Sequence, residues 1–599
     1  MCRISGIINR EQPASRLFDQ VKAMCTLQAH GGPDGEGIYQ EESQHLVLGH
    51  RRLALLDLSP AGAQPMHYGE RYTISYNGEI YNFQSLKETL ARLGHHFHNG
   101  TDTEVILAAF AQWHTQSFQK LQGMFAFALW DKQEKILYLV RDAAGIKPLY
   151  FHVHAEGLNF ASEIQALESL DMATESPDWP VYLMAFGHIP RPLTTFKEIK
   201  PLPKGCFMAY NVPGKKYSLQ SFEHFSFSEK ATDGKEAASI TEALTGAVER
   251  QMVADAPLGV FLSGGLDSSI ITSLAASRSP QVNSISLHFG EDKYSEKKFQ
   301  DLLVEKAGTR HHSNLLTEAD FKESFPEILA AMDMPCCDGI NTWFISKTAR
   351  EQGLKAVLSG VGADELFGGY PSFRRIRTAL FFQQQFRFGL HTGAKKIDRL
   401  AYLGLPGIKG IYLFLRGLYT PHDIARHLDC NEAEVWRILQ AAPVWDEIDI
   451  LHAKNQASWM EYHLYLQNQL LPDADIMGMA HGVEIRVPFL DSGLTRLAFG
   501  ISPQVKFGGK LPKQILIDGF KNTLPEATWN RPKMGFTLPF ASWLKNNAFA
   551  AELIASGGSE GQETFQRFIK GRVHWSQVMA LLLVQYRQGR NFKGQQARA

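Results

Sequence analysis

The sequence predicts an α/β protein of two domains, in which a strand-rich layered domain precedes a doubly wound parallel sheet with a helical C-terminal part. From residue 2 to about 210, short apolar runs such as ISGII, LVLGHRRLALLDL and FAFALWD are separated by turn residues, which is typical of strands. Beyond about residue 235, helix-length segments alternate with short apolar runs such as GVFLSGG and KAVLSGVG. This alternation indicates parallel strands that are joined by crossover helices.

Domain boundaries are predicted at residues 2–210 for the first domain, 211–235 for a linker and 236–590 for the second domain. The linker prediction follows from VPGKKYSLQSFEHFSFSEKATDGKE, which is polar and charged and lacks periodicity. The chain has 599 residues, more than one hydrophobic core usually serves. The aromatic and basic segment from Ala379 to Tyr419 is expected either to pack as core helices or to attach to a membrane surface or a partner.

The composition argues against several classes of protein. Lys and Arg number 61 against 62 Asp and Glu, so no excess of charge steers the protein towards nucleic acid or anionic lipid. No apolar run reaches the roughly 18 residues that a membrane-spanning helix needs, and the N-terminus lacks the layout of a signal peptide. The six cysteines lack the pair spacing of zinc sites. We therefore expect a cytoplasmic protein that binds no nucleic acid and has no membrane span.

A cysteine follows the first methionine. Once Met1 is removed, Cys2 carries a thiol nucleophile together with an α-amine of pKa about 8, which can accept the thiol proton directly or through a water. A lone cysteine near a terminus is more often incidental. A catalytic role for Cys2 therefore depends on the residues that accompany it.

Three downstream motifs supply the groups that hydrolysis of an amino acid's side-chain amide needs. They are His50-Arg51-Arg52-Leu53, Asn77-Gly78-Glu79 and Gly100-Thr101-Asp102. An arginine can bind the α-carboxylate, carboxylates can hold the α-ammonium, and an Asn amide beside a Gly N–H can donate to the tetrahedral oxyanion. Taken alone, Asn77-Gly78 also fits a simple turn between strands.

With these motifs, residues 2 to 200 resemble a class II glutamine amidotransferase domain, which has the αββα sandwich of the N-terminal-nucleophile (Ntn) hydrolases. The resemblance implies that Cys2 attacks glutamine to form a glutamyl thioester, and that Asn77 and Gly78 form the oxyanion hole. Arg52 is preferred to Arg51 because the family arginine directly precedes the leucine. The glutamine-binding residues that the resemblance implies are Arg52, Asn77, Gly78, Glu79 and Asp102.

Two positions depart from the family pattern. The family usually begins MCGI, whereas Arg3 stands in the glycine position here. The family signature HRGPD is HGGPD here, with Gly31 in place of the arginine. Because Cys2 is intact, we expect glutaminase activity, and the two departures bear on its efficiency and on its coupling to synthesis.

Residues Gly259 to Ser269 read GVFLSGGLDSS, a strand that runs into two glycines, an aspartate and two serines before a helix. Glycines let backbone N–H groups approach an anion, serines donate to it, and a helix N-terminus adds positive potential. Asp267 is placed to hold Mg²⁺ against phosphates. The lysine of the GxxxxGK[ST] loop is absent, which argues against an ordinary kinase or GTPase.

SGGxDSS is the signature of ATP pyrophosphatases, and KAVLSGVGADELFGGYPSF extends the resemblance to the asparagine synthetase family. The resemblance implies an adenine-nucleotide-α-hydrolase-like sheet, adenylation of a substrate, and the cofactors ATP and Mg²⁺, with Asp267 and Asp364 as metal ligands. The ATP-binding residues that it implies are Leu262, Ser263, Gly264, Gly265, Asp267, Ser268, Ser269, Leu287, Ser359 and Gly360. Taken alone, DELFGGY also fits a helix capped by glycines.

Two later motifs, GVEIRVPFLD and NRPKMGFTLPF, belong to the same resemblance. Glu484 and Arg486 fit either a structural ion pair or substrate contacts. Lys533 is a catalytic candidate, because a positioned cation stabilises the charge that develops as an amine attacks an acyl-adenylate. Lys533 also fits an ordinary surface lysine.

The acceptor of the nitrogen is predicted to be aspartate, which would yield asparagine, AMP, pyrophosphate and glutamate. Val361 stands where asparagine synthetases usually have a glutamate tied to forming the aspartyl-adenylate, and valine cannot exchange a proton. The same chemistry on another carboxylate therefore stays open, for example a uronic acid of a surface polysaccharide or a natural-product acid.

The residues argue against two further alternatives. Ring closure by an internal amine, as in β-lactam synthetases, needs no glutaminase, so the intact Cys2 argues against it. A non-catalytic sensor of glutamine or nucleotide would not need a nucleophile together with Asp267 and Asp364. The partners that the sequence predicts are small-molecule substrates, and a homodimer stays open.

Overall fold

The computed structural model describes residues 2–228, 234–291, 293–386, 398–443, 448, 451–532 and 539–598, with side chains described up to residue 589. Within them, none of the helices combines the length and the apolar character that crossing a membrane requires.

Two antiparallel six-stranded sheets form the first domain. The first sheet has the strand order β10-β8-β9-β1-β3-β2 and the second has the order β12-β11-β7-β6-β5-β4. The strands are β1 Arg3–Asn9, β2 Gly35–Glu41, β3 Leu46–Arg52, β4 Met66–Tyr68, β5 Tyr72–Ile80, β6 Gly123–Asp131, β7 Ile136–Arg141, β8 Tyr150–His154, β9 Gly157–Ala161, β10 Lys200–Pro201, β11 Cys206–Asn211 and β12 Lys216–Ser221.

Helices cover the outer faces of both sheets. Helix α1 packs on β1 and β3, and helices α2 and α3 cover the second sheet. The inner faces meet in a core that contains Ile4, Leu48 and Trp130. This arrangement confirms the predicted αββα sandwich. The helices are α1 Ala14–Leu27, α2 Phe83–Arg92, α3 Asp102–Trp113, α4 Ile164–Glu168 and α5 Trp179–Phe186.

Strand β1 is buried along its whole length, which explains why its sequence RISGIIN lacks the alternation of a half-exposed strand. It lies between β9 and β3 in the first sheet, with helix α1 on one face and the second sheet on the other. Cys2 directly precedes this central strand. The start of the chain is therefore held rigidly inside the domain.

The segment predicted as a linker, residues 211–235, contains strand β12, which pairs with β11 from Cys206↔Ser221 to Asn211↔Lys216. All six residues of β12 are exposed, because the strand lies at the edge of its sheet. The polar sequence of this strand therefore gave no apolar pattern to predict it from.

A five-stranded parallel sheet with the order β15-β14-β13-β16-β17 forms the centre of the second domain. Chain order runs from β13 to β15 on one side and continues with β16 and β17 on the other, so the connections reverse between β13 and β16. This confirms the predicted doubly wound sheet. The strands are β13 Leu258–Phe261, β14 Asn283–His288, β15 Arg310–Leu315, β16 Ala356–Leu358 and β17 Glu484–Arg486.

Helices surround this sheet and make up most of the described chain beyond residue 359. A π-helical stretch, Glu461–Leu470, joins α16 and α17. The helices are α6 Glu236–Gln251, α7 Leu266–Arg278, α8 Lys297–Ala307, α9 Glu318–Ala331, α10 Ile340–Glu351, α11 Ala363–Phe367, α12 Ser372–Phe386, α13 Gly407–Arg416, α14 Pro421–Leu428, α15 Glu432–Ala441, α16 Ala453–Met460, α17 Leu471–Met479, α18 Ser492–Gly500, α19 Pro503–Lys506, α20 Gln514–Phe520, α21 Glu526–Trp529, α22 Phe540–Lys545, α23 Ala548–Ala555, α24 Ser559–Ile569 and α25 Trp575–Arg598.

The aromatic segment from Ala379 to Tyr419 divides into parts. Residues 387–397 lie outside the described residues. Ile411 and Tyr412 of helix α13 are buried in the core, as the core-helix alternative expects. Phe381 and Phe382 on helix α12 are exposed.

Replacing Phe118 by alanine should destabilise the first domain by about 3–5 kcal/mol, because its fully buried ring leaves a cavity. The ring stacks on Phe110 and contacts Phe207 edge-on, with centroids 5.7 and 5.2 Å away. The loss of stability is measured by thermal unfolding that is monitored by near-UV circular dichroism. Leu219→Ala on β12 is the control, because Leu219 is 44% exposed, and an equal loss in both variants would contradict the assigned core.

Candidate active sites

Cys2 lies at the entrance to β1, and its Sγ is 3.8 Å from the carbonyl oxygen of Leu53. Burial is the main cause that raises the pKa of the Cys2 thiol to about 11; the carboxylates of Glu79 and Glu484 act in the same direction, against the N-terminal charge and the hydrogen bond to Leu53. Glu79 belongs to the first domain and Glu484 to the second. The thiol is therefore neutral at physiological pH, and it needs a base to become a nucleophile.

Asn77 and Gly78 lie in the C-terminal half of strand β5, where they pair with Ala126 and Phe125 of β6. They are therefore strand residues and do not form the simple turn that NG suggests. Gly78 has φ +149°, and a Cβ there would lie 2.1 Å from the carbonyl oxygen of Met124, so only glycine fits.

The side chain of Asn77 is fully buried, and neither its Nδ2 nor its Oδ1 has a hydrogen-bond partner among the residues that the structure describes. A buried amide without a partner costs free energy, about 1–3 kcal/mol per group. Such a cost is typical of a group that is satisfied by a ligand. An Nδ2 donor in this position can stabilise a negative oxygen.

Two buried carboxylates, Glu79 and Asp102, lie close enough to shift each other's titration. Asp102 Oδ2 accepts hydrogen bonds from the Tyr76 hydroxyl at 2.7 Å and from the Ile80 N–H at 2.8 Å. Burial raises the pKa of Asp102 to about 6, and burial followed by the Asp102 charge raises the pKa of Glu79 well above its usual range. An ammonium group bound between them would favour the charged form of both.

Arg52 sits at the end of β3 and donates to the carbonyl oxygens of Asp57 and Ser59, at 2.5 and 2.8 Å. Its guanidinium therefore holds the loop that follows β3. The described contacts of Arg52 are to this loop, and they do not join it to Cys2 or Asn77.

Glu484 and Arg486 of β17 form the ion pair that was one of their two predicted alternatives, with Arg486 Nε 2.6 Å from Glu484 Oε1. Arg486 also donates to the backbone carbonyls of Gln251 and Val253. Its Nη2 lies 3.6 Å from Glu79 Oε1 across the domain boundary. The edge of the parallel sheet therefore reaches the strand that carries Asn77, Gly78 and Glu79.

The SGGLDSS loop leaves the carboxyl end of β13 and enters helix α7. Ser263 and Ser268 are 3.0 Å apart between their Oγ atoms, and Gly265 N–H donates to Ser263 Oγ at 3.3 Å. Gly264 adopts φ +87°, a backbone conformation that is strained for residues with a side chain and unstrained for glycine. The hydroxyl of Ser269 is buried with no hydrogen-bond partner among the described residues.

Ser359 and Gly360 follow β16, the neighbour of β13 in the sheet. A Cβ on Gly360 would lie 3.0 Å from Asp267 Cβ and 3.1 Å from the Ser268 nitrogen, so the two loops touch. They meet where the order of connections reverses, which is the position of ligand sites in open parallel sheets.

Asp267 and Asp364 converge on the ammonium group of Lys513, which the sequence analysis missed. Lys513 Nζ is 2.5 Å from Asp267 Oδ2 and also forms an ion pair with Asp364 Oδ1. Lys513 is buried, and its segment KLPKQ carries no pattern that distinguishes it from a surface lysine. The two predicted metal ligands therefore lie side by side.

The described part of the chain contains no group of three or more His, Cys, Asp or Glu side chains arranged to hold a metal. Asp267 and Asp364 alone supply the carboxylate oxygens that Mg²⁺ prefers, and Mg²⁺ is commonly bound by one or two carboxylates together with substrate phosphates. The donor set fits Mg²⁺ bound together with a nucleotide.

Leu262 and Leu287 lie at the carboxyl ends of β13 and β14, and both side chains are buried in the core. Their backbones are paired, because Leu262 N–H donates to Ile285 and the Leu287 carbonyl accepts from Gln300. These two residues therefore lie in the core, at the strand ends from which the loops leave.

Lys533 lies outside the described residues. Its neighbour Arg531, which was not predicted, donates to the Gly264 carbonyl at 2.9 Å and to Glu296 at 2.5 Å. Arg531 therefore contacts the SGGLDSS loop, although the sequence analysis considered only Lys533 of this motif.

A two-sheet sandwich with a cysteine at the entrance to its central strand, joined to a parallel sheet with a phosphate-type loop, defines a glutamine-dependent amidotransferase. Residues 1–223 match the Glutamine amidotransferase domain and residues 239–578 match the Asparagine synthase family. The chain belongs to the asparagine synthase family. It is a glutamine-hydrolysing ligase of a family that uses ATP.

Characterised relatives match along nearly the whole chain. Glutamine-hydrolysing asparagine synthetase 1 of Bacillus subtilis is 31% identical over 569 residues, which cover 91% of this chain and 88% of the relative. Glutamine-hydrolysing asparagine synthetase B of Escherichia coli K12 is 28% identical, with 90% and 82% covered. The amidase chry2 of Gibberella zeae is 26% identical, with 91% and 90% covered.

Among solved structures, a glutamine phosphoribosylpyrophosphate amidotransferase from B. subtilis matches 60% of this chain and 81% of its own, with 15% identity and a TM-score of 0.29. A score at this level supports no conclusion about fold or function.

Replacing Asn77 by alanine should lower kcat for glutamine hydrolysis about 10²–10³-fold with little change in KM, because one oxyanion donor is lost. Glutamate release measures the effect, and amide formation driven by added ammonia should be unchanged. Asn82→Ala is the matched control, because Asn82 belongs to the same YNGEIYN motif, but within the described residues its side chain bonds to the backbone of Lys120 and Gln122. Equal losses of kcat in both variants would contradict the oxyanion role.

Replacing Lys513 by alanine should lower ATP-dependent pyrophosphate release about 10²-fold, because a buried cation is removed from the predicted nucleotide site. Glutamine hydrolysis, measured in the same preparation, should continue. Lys510→Ala removes an exposed lysine from the same segment and should behave as wild type. Full pyrophosphate release by the Lys513 variant would show that Lys513 lies outside the nucleotide site.

Proposed function

We propose that the first domain hydrolyses glutamine and that its nitrogen passes to an acyl-adenylate which the second domain makes from ATP and a carboxylate. The observation that carries this proposal is the 3.6 Å approach of Arg486 to Glu79. It joins the edge of the nucleotide-binding sheet to the predicted glutamine pocket. Two independent hydrolases would need no such contact.

In the first half-reaction, the Cys2 thiol attacks the side-chain amide carbon of glutamine after giving its proton to a base. The α-amine of Cys2, with a pKa of about 8, is the base that the residue itself supplies. Asn77 Nδ2 and the Gly78 N–H stabilise the oxyanion of the tetrahedral intermediate. The intermediate collapses by breaking the C–N bond, and the α-ammonium of Cys2 returns its proton to the leaving nitrogen, so ammonia and a glutamyl thioester form. Water, which gives its proton to the same amine, then hydrolyses the thioester to glutamate and restores the thiol. Glu79 and Asp102 bind the α-ammonium of glutamine, and Arg52 binds its carboxylate.

In the second half-reaction, the substrate carboxylate attacks the α-phosphorus of ATP and pyrophosphate leaves. The backbone from Ser263 to Ser269 and the N-terminus of helix α7 bind the phosphates. Asp267 and Asp364 would hold Mg²⁺, which neutralises phosphate charge when bound. The Lys513 ammonium adds positive charge at the same place, and Lys533 remains the predicted cation for the attack by ammonia.

Ammonia would be protonated in bulk water, so its transfer needs a passage that excludes solvent. The buried contacts between β5 and β17 support such a passage, because Glu79, Glu484 and Arg486 are 6%, 0% and 0% exposed. Ammonia released near Cys2 would thus enter the second domain without meeting solvent.

Aspartate is the leading acceptor, and the asparagine synthetases among the relatives support it. A second candidate is another carboxylate, which Val361 favours. A relative described as an amidase supports this candidate too. Glu365 is a buried carboxyl group near residue 361. Burial and the charge of Asp364 raise the pKa of Glu365 to about 7, so Glu365 can exchange a proton where Val361 cannot.

Mass spectrometry of the products formed from ATP, glutamine and single carboxylates identifies the acceptor. We expect asparagine from aspartate, with one AMP and one pyrophosphate for each amide formed. The panel includes glutamate, a hexuronic acid and an aromatic acid, and assays without glutamine but with ammonium serve as controls. Turnover of glutamine and ATP with a different carboxylate, and none with aspartate, would replace aspartate by that acceptor.

A further inference from the structure

Arg3 and Gly31, the two departures from the family pattern, lie against each other. A Cβ on Gly31 would be 2.8 Å from Arg3 Cγ and 2.9 Å from Arg3 Nε. No larger side chain fits at position 31 while Arg3 occupies this volume. The family pattern has glycine at position 3 and arginine at position 31. This chain has the two residues the other way round, and they are in contact.

The guanidinium of Arg3 connects the two domains. Arg3 is fully buried, with Nε 2.5 Å from Glu163 Oε1 in the first domain and Nη1 2.8 Å from Asp475 Oδ2 on helix α17. The Lys147 ammonium lies 2.8 Å from the other oxygen of Asp475. The positive charges of Arg3 and Lys147 therefore offset the negative charges of Glu163 and Asp475 in a buried site.

This network fixes geometry more than it adds stability. Buried ion pairs recover little beyond the cost of removing their charges from water, and their best-supported use is to specify one arrangement. The remaining nitrogen of Arg3, Nη2, is buried without a hydrogen-bond partner among the described residues. A network selected for stability alone would satisfy this donor.

The connections of Arg3 lead to both sides of the amide-transfer interface. Arg3 follows Cys2 directly on β1, so its position sets the start of the strand that carries the thiol. Asp475 belongs to helix α17, which leads within a few residues into β17, where Arg486 approaches Glu79.

We propose that Arg3 supplies from strand β1 the guanidinium that the family pattern places at position 31, and that it is the positioning residue that couples glutamine hydrolysis to amide synthesis. This inference rests on the proposed function. Arg3 acts through Cys2 and Asp475, and it does not contact the reacting atoms.

The exchange of the two residues provides the test. Arg3→Gly, Gly31→Arg and the double variant R3G/G31R are compared with wild type for glutamate released per amide formed. Glutaminase kcat and KM and ammonia-driven synthesis are measured alongside. Arg71→Gly is the control, because Arg71 forms its ion pairs with Asp131 and Glu134, which both belong to the first domain.

Arg3→Gly should raise the ratio of glutamate to amide about threefold or more, while ammonia-driven synthesis and the KM for glutamine stay close to wild type. R3G/G31R should return the ratio to within about twofold of wild type, because the arginine again reaches Glu163 and Asp475. Gly31→Arg alone should fold poorly, since it adds a second arginine to a filled volume. Arg71→Gly should keep the wild-type ratio.

An unchanged ratio in Arg3→Gly, or a double variant no better than Arg3→Gly, would overturn the proposal. If Arg3→Gly does not fold, the double variant decides: coupled activity supports the exchange and failure to fold refutes it. Scanning calorimetry needs no substrate, so it tests the role of Arg3 between the domains even if the acceptor carboxylate of the proposed function is wrong. We expect one joint transition for wild type and the double variant, and two transitions for Arg3→Gly.

Discussion

The structure depends on buried charges that are paired across the boundary between its two domains. Arg486 lies between Glu484 of its own strand and Glu79 of the first domain, and Arg3 reaches Asp475 of the second domain. Removing one partner of such a pair leaves a charge in a medium that cannot solvate it, at a cost of about 3–5 kcal/mol. The two domains therefore have one low-energy arrangement, and the distance between their sites is fixed by it.

Each site is built where backbones approach closely. On β5, Gly78 lies so near the carbonyl oxygen of Met124 that no side chain fits, and it directly follows Asn77, whose buried amide has no hydrogen-bond partner among the described residues. In the second domain, Gly360 lets the loop after β16 contact Asp267. In both sites glycine serves the same purpose, because it allows backbone donors and carboxylates to converge on a small polar group.

Much of the fold and of the candidate site could be predicted, because strands, loops and motifs leave local patterns. The strands of the first domain and the loop after β13 follow from runs such as ISGII and GVFLSGG, whereas the two-sheet sandwich followed from the family resemblance. Contacts between distant segments leave no such pattern. Lys513 meets Asp267 and Asp364 from residues that look like an exposed turn, and the exposed edge strand β12 looks like a linker. The relation between Arg3 and Gly31 also becomes visible only in three dimensions.

The central claim is that nitrogen passes from the first site to the second without mixing with solvent. The most direct measurement supplies glutamine labelled with ¹⁵N in its side-chain amide, ATP and the accepted carboxylate, in a large excess of unlabelled ammonium. We expect a product amide that carries ¹⁵N at nearly the enrichment of the glutamine. A product with the isotope content of the ammonium pool would contradict it.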